Sequence, residues 1–135
     1  MKSKPKRVII DTNLWISFLI SNNYSKLDDI LLKKECVLVF SDELLKEFLE
    51  VAHRPKFRRF FSIFDIEELM ETIQEYGVLI EVNTKVEVCR DAKDNFLLSL
   101  AHDGKADILL TGDDDLLVLK KYNKTAILTI GDFIK

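Results

Sequence analysis

The sequence predicts an α/β fold: a central parallel sheet with helices on both faces. Three observations carry that expectation. Short apolar runs without polar alternation, at residues 7–10, 37–40 and 107–111, suit strands buried on both faces. Between them lie segments whose apolar residues recur three and four apart, the period of an amphipathic helix. The two kinds of segment alternate along the chain, which is the order that builds parallel sheets through right-handed crossovers.

Residues 7–10 read as the first strand, with Asp11 at its end. Thr12 and Asn13 are good N-cap types, and Trp15, Phe18 and Leu19 mark one face of a helix over 14–20. The loop Ser21-Asn22-Asn23 leads to a helix over 25–34, striped by Leu27, Ile30 and Leu31, and then to a strand over 37–40. Ser41 and Asp42 cap the next helix, whose apolar residues are Leu44, Leu45, Phe48, Leu49 and Ala52. Residues 54–61, RPKFRRFF, break it. A helix over 65–76 is stopped by Gly77, and a strand over 78–82 and a connector over 83–89 follow. A helix then opens near Asp94, a buried strand covers 107–111, and an acidic loop follows Thr111-Gly112. A short helix over 115–122, a strand over 125–129 and a helix-like tail over 131–135 end the pattern, for five strands in all.

At 135 residues the chain has the length of one domain with a sizeable core, residues 1–135 forming a single unit. A hydrophobic share of 47% and a charged share of 32% are those of a soluble globular protein. No apolar run is long enough to span a membrane. The run from Val8 to Ile10 is too short for a signal peptide core, so a cytoplasmic location and no membrane partner are expected. Cys36 and Cys89 have no CxxC partner and no His at ligand spacing, which favours buried free thiols over a disulfide or zinc. His53 and His102 lack a Ser or Cys arrangement that would make a triad and read as surface groups. With four glycines and no GxxxxGK, a P-loop nucleotide triphosphatase is excluded. Leu27–Leu32 and the apolar residues of 63–69 are candidate dimer faces, though each also reads as core.

The net charge of −3 argues against a generic binder of phosphate backbones. The charges are unevenly spread, however. Cations gather at 2–7 and at 54–59, while acids gather where strands end and helices begin. Asp11, Glu43 or Glu47, Asp94, Asp113 and Asp115 would meet at one edge of the predicted sheet, the carboxyl edge where open α/β sheets bind ligands. Like charges so gathered raise one another's pKa, and a bound cation removes that cost. All-oxygen donors without a balancing Arg or Lys motif suit Mg²⁺ or Mn²⁺, ions that activate water for phosphodiester hydrolysis. Against this stands a plainer account: Asp91 and Asp94 cap a helix N-terminus, and Asp11 shapes a turn. Arg54, Lys56, Arg58 and Arg59, interleaved with Phe57, Phe60 and Phe61, suit single-stranded nucleic acid. The plainer account there is that the rings are core and the cations a solvated rim.

The segments VIIDTNLWISFL, SDELLKEFLEVAHRPKF, RDAKDNFLLSLAHDGKADILLTGDDDLL and ILTIGDFI together resemble the PIN domain, in the branch of toxins from toxin–antitoxin pairs. The resemblance runs nearly end to end. It implies a three-layer α/β/α fold with a central parallel sheet of four to five strands. It also implies an endoribonuclease that depends on Mg²⁺ or Mn²⁺, acts on RNA, is held by an antitoxin protein and is often a homodimer. By position it implies Asp11, Glu47, Asp94 and Asp113 as the catalytic and metal-binding acids, with Asp115 as a less strict one. Glu43 stays open as the helical acid. Thr12, Asn13 and Thr111 would orient the carboxylates. Asp91 and Asp114 have no place in the pattern, and Asp114 is expected to face solvent. The alternative is a PIN fold that binds RNA or protein without cutting. An Asp-nucleophile phosphatase would want Asp-x-Asp after the first strand, where this chain has Asp11-Thr12-Asn13.

Overall fold

The computed structural model describes residues 4–135; Lys2, in the N-terminal basic cluster, lies outside them. Its strands are β1 (Arg7–Ile10), β2 (Val37–Phe40), β3 (Gly77–Leu79), β4 (Ile108–Leu110), β5 (Lys121–Tyr122) and β6 (Thr125–Leu128). Its helices are α1 (Thr12–Ser21), α2 (Ser25–Asp28), α3 (Asp42–Ala52), α4 (Ile63–Tyr76), α5 (Asn95–Asp103), α6 (Asp114–Leu117) and α7 (Ile130–Ile134). The strands form one sheet in the order β3-β2-β1-β4-β6-β5, with helices on both sides. All neighbours pair in parallel except β5 and β6. The apolar runs behave as their lack of alternation requires: Val8, Ile9, Ile10, Leu38, Val39, Phe40, Leu109 and Leu110 are all buried, in the two-sided core of a central sheet.

Strand order fixes where a ligand can sit. From β1 the chain winds outward through β2 to β3, then returns to the other side of β1 for β4 and β6. The direction of winding therefore reverses between β1 and β4, and the crevice beyond their carboxyl ends is the topological switch point. In register, Ile10 faces Leu110. The next residue of each strand, Asp11 and Thr111, thus emerges at the same level of that crevice.

The sixth strand was not expected. Residues 115–122 read as one helix, yet α6 stops at Leu117 and the chain reverses. Lys120 adopts a left-handed conformation (φ 59°), and Asn123 another (φ 52°) in a two-residue hairpin turn that pairs Tyr122 with Thr125. The helix start at 65 is also displaced. Ser62 Oγ accepts from the Asp65 N–H at 3.3 Å and Asp65 Oδ2 accepts from the Ser62 N–H at 2.8 Å, a reciprocal cap that begins α4 at Ile63. The helix expected over 25–34 continues from α2 as a wide turn over Asp29–Lys33, ended by a left-handed Glu35 (φ 51°).

Gly77 acts differently from a left-handed helix stop. Its φ is −106°, and the chain passes from α4 into β3 without a loop. A Cβ at Gly77 would lie 2.4 Å from the Ile73 carbonyl oxygen, so the glycine permits a close backbone approach. Gly77→Ala is therefore expected to destabilise the fold by about 1–3 kcal/mol, as overpacking does, measured by urea unfolding. An unchanged midpoint would show that the α4–β3 junction shifts freely.

Candidate active site

The site is built on the ends of β1, β2 and β4. Asp11 is the N-cap residue of α1 but gives its side chain to no capping bond. Its carboxylate instead accepts from the Thr111 hydroxyl at 2.7 Å, and its backbone N–H donates to the Leu110 carbonyl at 3.0 Å. Helix α1 consequently starts at Thr12, earlier than the expected Leu14. After β2, Ser41 Oγ accepts from the Leu44 N–H at 3.1 Å and starts α3. One turn further on, Glu47 accepts a hydrogen bond from the buried Thr12 hydroxyl. After β4, Thr111 Oγ1 accepts from the Asp113 N–H at 3.0 Å, and Asp113 Oδ1 accepts from the Asp115 N–H at 2.9 Å. Two threonines thus tie Glu47 to the start of α1, and Asp11 to the turn that carries Asp113.

Asp94 joins these acids to a second group. A single tight turn over Ala92–Asp94 precedes α5, and Asp91 caps it by accepting from the Lys93 N–H at 3.1 Å. In such a turn residues three apart eclipse one another, so Asp91 and Asp94 share a face. One carboxylate oxygen from each of Asp91, Asp94 and Asp115 lies within 4.8 Å of the others. Asp91, which had no place in the sequence pattern, is therefore both a cap and a member of the acid patch. Its three-residue spacing from Asp94 was the available signal.

The electrostatics follow from crowding. Burial raises the Asp11 pKa, the Thr111 hydrogen bond offsets part of that, and the charges of Glu47 and Asp113 raise it further. Asp94 is pushed up to about 7, first by burial and then by Asp113, with Asp11 and Asp91 adding to it. Its Oδ2 is buried and has no hydrogen-bond partner. An orphaned carboxylate oxygen among several others is the donor set a hard divalent cation fits.

Other expected residues fall differently. Glu43 is exposed and lines an open groove of about 1240 Å³ between the start of α3, the 80–89 connector and α5. The Asp11 carboxylate feels the charge of Glu47, which puts Glu47 beside Asp11. Asn13 is exposed and makes no side-chain hydrogen bond among the described residues, which leaves orientation of the acids to Thr12 and Thr111. Asp114 is exposed. The expectation that no cation balances the acids fails for Asp115, whose carboxylate pairs with Arg90, and for Asp91, which lies 3.9 Å from the Lys93 ammonium. Cys36 and Cys89 are buried free thiols, and His53 and His102 are exposed.

The cationic segment follows α3 in the chain. Pro55–Phe57 forms a single tight turn after α3, and Arg54 pairs with Glu50 at 3.0 Å. Phe61 is buried and stacks on half-buried Phe57 at 5.7 Å, as a core reading requires. Phe60 departs from it, at 45% exposed. Of the two candidate dimer faces, Leu27, Ile30, Leu31, Ile66 and Leu69 are buried, while Leu32, Ile63 and Phe64 are exposed. Among the described residues no helix is long and apolar enough to cross a membrane.

A family model described as "PIN domain" matches residues 7–115, which spans every acid of the patch. The chain belongs to the PIN-domain family. PIN domains are generally nucleases and typically bind divalent metals. The chain is also 36% identical over 121 residues to an uncharacterized protein, MJ1680, of Methanocaldococcus jannaschii, an alignment covering 87% of this chain and 77% of that protein. No solved structure matches. In this PIN domain the strand ends that carry the acids all lie inside the matched span, and β5, β6 and α7 lie beyond it.

Proposed function

We propose that this PIN domain is an endoribonuclease dependent on Mg²⁺ or Mn²⁺, acting in the cytoplasm as the toxin of a toxin–antitoxin pair. The observation that carries the enzymatic part is Asp94: it has a buried, unpartnered oxygen, it feels the charges of Asp113 and Asp11, and it groups with Asp91 and Asp115 within 4.8 Å. Arg90 and Lys93 balance Asp115 and Asp91, but no ion pair balances Asp11, Glu47, Asp94 or Asp113 among the described residues, and carboxylates so crowded are costly unless a cation is held. Asp11, Glu47, Asp94 and Asp113 would hold the ion, with Asp91 and Asp115 beside them. When bound, such an ion lowers the pKa of water and stabilises the leaving oxygen of a phosphodiester. Thr12 and Thr111 orient the Glu47 and Asp11 carboxylates by hydrogen bonds. The toxin role, an antitoxin partner and a homodimer rest on the motif resemblance alone.

The test is cleavage of mixed structured RNA by the purified protein with Mn²⁺, with Mg²⁺ and with chelator. Products are expected with either metal and none in chelator. Undiminished cutting in chelator would remove the metal from the proposal. No cutting with any metal, by protein that circular dichroism shows folded, would favour a PIN fold that binds RNA or protein without hydrolysis.

A further inference from the structure

We propose that residues 54–64 form a platform for single-stranded RNA, where bases stack on Phe60 and Phe64 and phosphates pair with Lys56, Arg58 and Arg59. This deepens the ribonuclease reading, on which the choice of RNA rests, by naming the residues that would hold the strand. In a chain of net charge −3, this segment holds four cations and no acid. Arg54 is already paired with Glu50. Lys56, Arg58 and Arg59 make no ion pair among the described residues. The Lys56 ammonium lies 5.1 Å from the Phe57 ring centroid and the Arg59 guanidinium 4.9 Å from that of Phe60, so the charges are held beside the rings.

The rings divide into two kinds. Phe57 and Phe61 stack on each other and tie the segment to the core. Phe60 and Phe64 are 45% and 78% exposed, and Ile63 beside them 61%. Exposed rings set among unpaired cations match an occupant with planar faces and repeated negative charge, which is a nucleic acid strand. Bases in an A-form duplex keep their faces stacked on one another, so bases that stack on these rings come from a single strand. The platform follows α3, the helix that carries Glu47. From Glu47 to Ala52, the end of α3, the helix rises about 8 Å, and Arg54 follows two residues later.

The experiment is fluorescence anisotropy in chelator, where nothing is cut. A labelled single-stranded RNA of about twelve nucleotides, within the usual span of such sites, is compared with a duplex of the same length. The full chain is compared with Phe60→Ala/Phe64→Ala and with Arg58→Gln/Arg59→Gln. The single strand is expected to bind more tightly than the duplex. The aromatic variant should lose about tenfold or more in single-strand affinity while melting within a few degrees of the parent, since neither ring belongs to the buried core. The arginine variant should lower the salt dependence, by about 0.7 in log–log slope for each phosphate it no longer neutralises. An aromatic variant that binds the single strand as the parent does overturns the platform, and so does equal binding of duplex or no binding of either RNA. A change of sedimentation coefficient in that variant without loss of RNA affinity overturns it too, marking the patch as an interface between protein chains. Failure of the enzymatic reading looks different: binding that depends on Phe60 and Phe64 with no cleavage in any metal leaves the platform intact.

Discussion

Asp94→Asn is expected to lower metal-dependent RNA cleavage by roughly a thousand-fold, the scale of losing a group that stabilises transition-state charge, and at the same time to stabilise the metal-free protein. Both effects have one cause. Asp94 sits where burial and Asp113, then Asp11 and Asp91, act together on its carboxyl and push its pKa up to about 7. In the unfolded chain the same group titrates near 3.8. Between about pH 4 and pH 7 the folded protein therefore holds a proton that the unfolded chain has given up. Stability falls as pH rises through that window and levels off above it. Asparagine has no proton to lose, so the variant should melt a few degrees higher than the parent at pH 8 without metal and show a flatter profile. Some slope should remain, because the Asp11 pKa is raised as well. Thermal melts from pH 4 to pH 8, with and without Mn²⁺, give the check independently of activity. Mn²⁺ should raise the melting temperature of the parent and do so much less for the variant, since ligands stabilise in proportion to their affinity for the folded state. A variant that cuts RNA at the parent rate would place the chemistry elsewhere. A variant no more stable than the parent at pH 8 would show that Asp94 is not strained by its neighbours.

Much of this site is readable in the sequence because parallel strands are simple. A buried apolar run that ends in an acid reports both a central strand and what stands at its tip, as Val8-Ile9-Ile10-Asp11 does. The Asp11–Thr111 hydrogen bond needs more, namely that β1 and β4 are neighbours in register. The resemblance supplies an order of motifs but no distances. Asp91 stays hidden because its capping role is a complete account at the level of sequence; only the eclipsed turn brings it over Asp94 and Asp115. The short strand β5 is hidden for a different reason. Leu116, Leu117 and Leu119 carry a helical period, while the reversal depends on Lys120 and Asn123 entering left-handed conformations, which lysine rarely signals. Tertiary pairing with β6 decides it. Asp115 reads as a free acid in the sequence because Arg90, 25 positions away, is brought to it only by the fold.

Trp15→Ala is expected to be the most destabilising of the substitutions considered, by about 3–5 kcal/mol, and to weaken metal binding as well. Trp15 is wholly buried, with ring centroids 5.8 Å from Phe18, 5.7 Å from Phe40 and 6.4 Å from Phe48. It thereby joins α1, β2 and α3, the three elements that deliver Asp11, the cap of α3 and Glu47. Its indole N–H also donates to the Ile10 carbonyl at 3.0 Å, immediately before Asp11. Loss of the ring opens a cavity under the acid patch, and loss of the N–H frees the backbone from which Asp11 projects. Trp15→Phe separates the two, since it keeps most of the packing and removes the donor. Its expected stability cost is about 1–3 kcal/mol, from the unpaired buried carbonyl and the volume difference. The control is Ile73→Ala, a buried truncation on α4, a helix that carries none of the acids of the patch. At equal fractions folded, Trp15→Phe should bind Mn²⁺ several-fold more weakly than Ile73→Ala by calorimetry. Equal affinities would mean that Trp15 serves only as packing, and that the Thr111 hydroxyl and the Leu110 carbonyl suffice to hold Asp11 in place.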